Sequence, residues 1–198
     1  MKNCPELIDS FDPVSMKLKS RKIVLKDGRR ILLRHVAIED AERIIAFVQG
    51  FVYDEEFVPL SEGEFNPALE DEKIILKNYI DRTNSLFLVA ESTDGKIVGN
   101  INVDGNQRKI MRHTAVFGMG MHKDWQGCGL GTALLQHAVD WCKNQSELEL
   151  LYLQVYAENE AGLALYRKIG FTEHGKMPKV FKQNNRYHDE ISMHLLLK

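Results

Sequence analysis

The residues whose spacing carries chemistry open at "QGCGLG", Gln126–Gly131, where Gly127, Gly129 and Gly131 fall within five positions ahead of a helix-like pattern. Glycine costs backbone entropy, so this density asks what needs a bare main chain. A P-loop requires Lys and then Ser/Thr after its last glycine, and Leu130, Gly131 and Thr132 supply no lysine. A dinucleotide fingerprint requires Gly or Ala at 132, and it also requires an early βαβ unit. A third reading fits. A loop between a strand and a helix exposes successive N–H groups beside a helix N-terminus, which favours an anion such as a pyrophosphate. A second group lies downstream. Asn159 caps the helix "NEAGLALYRKIGF", and Tyr166 follows seven residues later, two turns on and close to the same face.

These residues need elements to hold them. "RRILLRHV" (Arg29–Val36) reads as a strand after the turn "KDGRR". Ile38, Ala41, Ile44, Ile45 and Val48 recur at helical spacing. Glu70–Arg82 is a second amphipathic helix whose Ile74, Ile75, Asn78 and Ile80 define no narrow stripe. Ser85–Ser92 and Ile97–Gly105 form a hairpin around Asp-Gly. His113–Met121 is a strand interrupted by Gly118 and Gly120, which suggests a bulge or a ligand close to the backbone. After the glycine loop, Leu130, Leu134, Ala138 and Cys142 line one helical face. Leu148–Ala157 reads as a strand apolar on both faces. The helix at 159–171 stops at Gly170, and two antiparallel strands turning at Asn184–Asn185 close the chain. The order predicts a mixed α/β (α+β) fold in one domain.

Bulk composition agrees. The 198 residues are 44% hydrophobic and 27% charged, a globular balance with ample core. A net charge of −2 gives no basic platform for nucleic acid. No apolar run reaches membrane-span length, so no membrane partner is expected. Cys4, Cys128 and Cys142 show neither disulfide nor metal spacing, which predicts no metal site and a reducing, cytoplasmic setting. Residues 1–20 are polar with Pro5 and Pro13 and read as an N-terminal extension.

With both motifs in view, the sequence resembles the GNAT superfamily of acyl-CoA N-acyltransferases. "QGCGLG" matches its Q/R-x-x-G-x-G/A motif, and "NEAGLALYRKIGF" looks like its N-x-x-A-x-x-L-Y-x-K-x-G-F segment. The resemblance runs from about Arg29 to the C-terminus. It implies a central mixed, mostly antiparallel sheet flanked by helices, with 21–198 as a single N-acetyltransferase domain and acetyl-CoA as co-substrate. It implies that the backbone of Gln126, Gly127, Cys128, Gly129, Leu130, Gly131 and Thr132 holds the CoA pyrophosphate. Met119 and Met121 would offer backbone groups to the pantetheine arm, Asn159 would bond to that arm, and Tyr166 would protonate the leaving thiolate. Gly162 stands where the family usually has Ala, at a helix cost of ~1 kcal/mol. The glycine-rich strand also lacks the Glu that many relatives use as general base.

Transfer to an amine needs a proton acceptor, and the candidates are His113, at the start of the glycine-containing strand, and Glu158, at the end of the next one. In the family the first two helices and the last hairpin build the acceptor site. Here that region carries Asp54, Glu55, Glu56, Glu62, Glu64, Glu70, Asp71 and Glu72, with Asp189 and Glu190 on the hairpin. Acidic walls predict a cationic small-molecule amine, such as a polyamine, an amino acid or an aminated antibiotic. A non-catalytic acyl-CoA-binding module and a peptide or protein N-acetyltransferase are the alternatives, and a homodimer is left open.

Overall fold

The computed structural model describes residues 20–52, 56–61, 63–145 and 147–198; the predicted N-terminal extension lies almost wholly outside them. The chain opens with β1 (Arg21–Val24) and β2 (Arg30–His35), joined by a turn in which Gly28 takes φ +87°. The sequence predicts only the second of these strands. β1 is four residues long, alternates half-buried and exposed positions, and carries two cations, the pattern of a protected sheet edge with little apolar signal.

Helix α1 (Ala41–Val52) follows a 3-10 turn. Its buried stripe is Ala41, Ile44, Phe47 and Phe51 rather than the predicted Ile45 and Val48, which are half-buried. Helix α2 (Leu69–Asp81) buries Glu72 and Leu76 and leaves Ile74 and Ile75 exposed. The remaining elements are β3 (Leu86–Ser92), β4 (Ile97–Gly105), β5 (Thr114–Met121), α3 (Leu130–Asn144), β6 (Leu150–Tyr156), α4 (Glu160–Ile169), β7 (Thr172–Gln183) and β8 (Arg186–Leu196). Asn184 and Asn185 take φ +50° and +59°, the left-handed pair that a tight hairpin turn demands.

Among the described residues the strands form one sheet in the order β1-β2-β3-β4-β5-β6-β8-β7. Every neighbouring pair is antiparallel except β5–β6. One face packs on α3 and α4 through Ile101, Val103, Leu134, Leu151, Leu153 and Leu163. The other packs on α1 and α2 through Phe47, Leu76, Phe87 and Val89. An ion-pair network ties β2, β3 and α1 together. Arg34 bridges the buried Asp40 at 2.6 Å and Glu91 at 2.7 Å, and Arg43 meets the same two carboxylates.

β6 differs from its prediction. Leu151, Leu153 and Val155 are buried, whereas Leu150 and Tyr152 are half-buried and Gln154 is exposed. One face meets the α3/α4 layer, and the other opens toward solvent where the sheet parts. β5 also differs. Its register against β4 is continuous from Ala115 to Met121, without a bulge. Its glycines serve close approach instead. A Cβ at Gly118 would lie 3.0 Å from Asn102 Oδ1, and one at Gly120 would lie 2.5 Å from the Phe51 ring.

Candidate active site

The central sheet opens at one place. β5 and β6 pair only over Thr114–Val116 against Leu150–Tyr152. β5 then continues to Met121 along β4, and β6 to Tyr156 along β8, with no pairing between them. Two parallel strands that part after three residues leave backbone groups facing a cleft. The ladder shows which ones. His122 N donates to Val98 O, and Asn106 N to Thr114 O, so the even-numbered residues of β5 bond to β4. Alternation then turns the N–H and C=O of Phe117, Met119 and Met121 toward β6. That is the arrangement an extended amide-bearing arm needs if it is to complete the sheet.

The glycine loop closes the wide end. After a 3-10 turn at Lys123–Trp125, Gly127 takes φ +71° and Gly129 +96°, and Gly129 is the N-cap of α3 without a side-chain cap. Among the described residues, Gly127, Cys128 and Gly129 donate no backbone hydrogen bond. The first-turn N–H groups of Leu130, Gly131 and Thr132 have no intrahelical acceptor. A Cβ at Gly127 would meet open space, so this cradle is accessible. Cys128 points the other way. It is buried, and its Sγ donates to the Trp125 carbonyl. Gly131 lets the first turn of α3 approach Met121, Met119 and Leu165.

Sequence reasoning missed a brace behind this loop. Lys26 N donates to Cys128 O at 3.0 Å, and the Lys26 stem lies along Gly129. Arg29 stacks 4.1 Å from the Trp125 ring and donates to Asp124 O. The signal was the turn "KDGRR", legible as a hairpin but not as a partner for residues a hundred positions away.

At the narrow end stands Tyr166. Its ring lies 5.6 Å from Phe117, the first β5 residue past the paired segment, and it also meets Phe171. Burial pushes its phenol up to about 12, so the hydroxyl keeps its proton at neutral pH. Asn159 begins α4, with its Oδ1 accepting from Gly162 N at 2.9 Å. A Cβ at 162 would come within 2.9 Å of that amide, so glycine here gives room to the cap.

The two base candidates part company. His113 is exposed just before β5, and six residues of strand set it ~20 Å from Met119. The structure therefore does not bring it to the cleft. Glu158 follows β6 at the rim, with its Oε1 3.5 Å from His188 Nδ1. Beside them Tyr156 stacks on Phe181 at 3.9 Å and meets Phe57 and His188, both at 5.6 Å. Burial, then the Glu158 charge, raises the Tyr156 phenol. Sequence reasoning did not single out His188, although it sits next to the two acids counted on the hairpin.

The predicted acidic wall is only partly a wall. Asp54, Glu55 and Glu62 lie outside the described residues. Glu56, Glu64, Glu70 and Asp71 are exposed, and Glu70 pairs with Lys73. Asp189 pairs with Lys176. Glu72 and Glu190 are buried instead. Burial raises the Glu72 carboxyl, and Glu190 accepts from Ser192 Oγ. No cation among the described residues pairs with either one.

The comparisons agree with this geometry. The model of the acetyltransferase (GNAT) family matches residues 54–171, more than half of the chain. An L-amino acid N-acetyltransferase of Escherichia coli is 31% identical over 57% of this chain and 69% of its own. A spermidine N(1)-acetyltransferase of Vibrio cholerae is 28% identical over 64% of this chain and 72% of its own. The crystal structure of a GNAT-family acetyltransferase from Streptococcus pneumoniae superposes with a TM-score of 0.81 at 28% identity, covering 84% of this chain and 99% of that one. A strand pair opened beside an uncapped glycine loop, with the family model spanning both motifs, shows that this chain belongs to the acetyltransferase (GNAT) family, as an acyl-CoA-dependent N-acetyltransferase.

Proposed function

We propose that this protein acetylates a primary amine of a small, positively charged molecule, by direct attack while both substrates are bound. The observation that carries the acceptor reading is the pair of buried carboxylates, Glu72 and Glu190, with no cation among the described residues to pair them. A buried carboxylate is costly unless it is paired or protonated, so a cationic ligand is the natural partner. The relatives named for L-amino acids and for spermidine support an amine of this kind.

Acetyl-CoA supplies the activated acyl group. The cradle from Gln126 to Thr132 would hold its pyrophosphate, and the cleft-facing groups of Met119 and Met121, with Asn159, would hold its pantetheine arm. Tyr166, protonated at the narrow end, donates to the departing sulfur. An aliphatic amine near ~10.4 is almost wholly protonated at pH 7, which costs about 4–5 kcal/mol to undo. The base therefore belongs at the rim where the amine enters, on the side of Glu158 rather than His113. The buried thiols of Cys128 and Cys142 support a reducing, cytoplasmic setting. No helix among the described residues is long and apolar enough to cross a membrane.

The test is thiol release from acetyl-CoA with an unbiased amine panel. We expect the best acceptors to be cationic, with apparent affinity falling as salt rises. A best substrate that is neutral or anionic overturns the acceptor reading. Acetyl-CoA binding without turnover on any amine or peptide favours a binding module.

A further inference from the structure

One polar side-chain atom among the described residues is buried without a hydrogen bond, His188 Nδ1. A buried orphan of this kind needs an explanation. It does not lie in the core. It lies on β8, which borders β6 on the side away from β5, beside the residues that end β6; there His188 pairs in register with Phe181 and stands two residues before Glu190, the partner of Tyr156.

Resting on the transferase reading above, we propose that His188 accepts the proton of the acceptor amine, with Glu158 as the residue that positions its ring. Three observations support the assignment. First, Nδ1 lies 3.5 Å from Glu158 Oε1, too long for a formed hydrogen bond but within reach of one that tightens when substrate enters. An Nδ1–H aimed at that carboxylate leaves the lone pair on Nε2, the arrangement of a base oriented by an acid. Second, the side chain is 17% exposed, so the ring is held yet not sealed. The Tyr156 ring packs against it at 63°, and Phe181 fixes Tyr156 from the other side. Third, carboxylates gather around the ring. Glu158 approaches from the end of β6, and Asp189 and Glu190 follow His188 on β8. Lys176 of β7 is engaged by Asp189, and Tyr156 is neutral. Phe57, from the α1–α2 connection, completes the wall against Tyr156.

The proton count closes. R–NH3+ gives one proton to Nε2 of His188. The amine lone pair forms the C–N bond to the acyl carbon, and the C–S bond breaks. The thiolate takes a proton from Tyr166. The second proton lost by the amide nitrogen returns the phenol through water, and His188 releases its own to solvent. Histidine suits this step because its charge changes between pH 5 and 8.

The experiment uses the full chain, acetyl-CoA, and spermidine with the L-amino acids as the acceptor panel. kcat and KM of the best acceptor are followed from pH 6 to 9.5. For His188→Gln we expect kcat at pH 7 to fall ~10²-fold. The acid limb should become a rise of one decade per pH unit, as free amine in solution replaces the lost base. Acetyl-CoA affinity by calorimetry should stay within about twofold. Glu158→Gln, at an exposed position, should lower kcat ~10-fold and displace the same limb, and Glu158→Asp should restore most of it. Three results overturn the proposal: an unchanged profile in His188→Gln, an equal loss at every pH, or a rise in acceptor KM at constant kcat. If His188→Gln does not fold, an unmoved limb in Glu158→Gln overturns it. A wild type that binds acetyl-CoA and turns over nothing refutes the transferase reading itself, a different result from an active wild type that does not need His188.

Discussion

At the scale of single residues, Tyr166 is the side chain whose role depends most on its surroundings. Its hydroxyl has no partner among the described residues, and the ring is held by Phe117 and Phe171. Tyr166→Phe preserves that packing, so folding and CoA affinity should hold while kcat falls ~10²-fold. Thiol-release kinetics on the purified variant check this, and a wild-type kcat under chemistry-limited conditions would reduce the residue to packing. The same burial has a consequence for stability. With the folded phenol pushed up to about 12 and the unfolded one near ~10, the native state binds more protons in between. Stability from this group is complete below pH ~10 and is lost as pH rises toward 12. Urea titrations at pH 9 and 11 should show a smaller alkaline loss in Tyr166→Phe than in wild type.

At the scale of elements, the glycine loop and the hairpin behind it act as one unit. Gly129 has φ +96°, and its missing Cβ would lie 3.4 Å from the Lys26 stem. Gly129→Glu therefore strains the backbone and brings negative charge to the anion cradle. Calorimetry should show CoA binding abolished. The ion-pair network at the start of α1 is a second unit. Although burial alone would raise the Asp40 carboxyl, its bonds from Arg34 and the Ala37 amide hold it below the usual carboxylate range. Stability from that depression is present above pH ~4 and is lost as pH falls through the lowered value. Asp40→Ala leaves Arg34 without its closest carboxylate and frees the Ala37 amide, and it should cost about 3 kcal/mol in chemical denaturation at pH 7. An exposed pair such as Lys77–Asp81 should cost less than ~1 kcal/mol in the same assay.

At the scale of the whole molecule, the site exists because three layers meet at one defect in a sheet. In the proposed site the α3/α4 face supplies the cradle and Tyr166, and the hairpin beside β6 supplies His188 and Glu190. The sequence alone determined what is local or periodic: the glycine loop, the Asn159 cap, the Asn184–Asn185 turn, the helix face of Leu130, Leu134, Ala138 and Cys142, and through its two motifs the family. Each of these rests on contacts within a few residues, where spacing and side-chain type suffice. The buried stripe of α1, the short edge strand β1, the uneven faces of β6 and the absence of a bulge in β5 were decided only by what packs against them. The same holds for the proposed proton acceptor. His113 and Glu158 are comparably placed by strand position. Parallel pairing then puts His113 at the closed end of β5 and Glu158 at the open end of β6, and β8 brings His188 to Glu158 across thirty residues of chain. That meeting is a matter of sheet order and register, and no local pattern encodes it, because the two residues become neighbours only when the cleft is built.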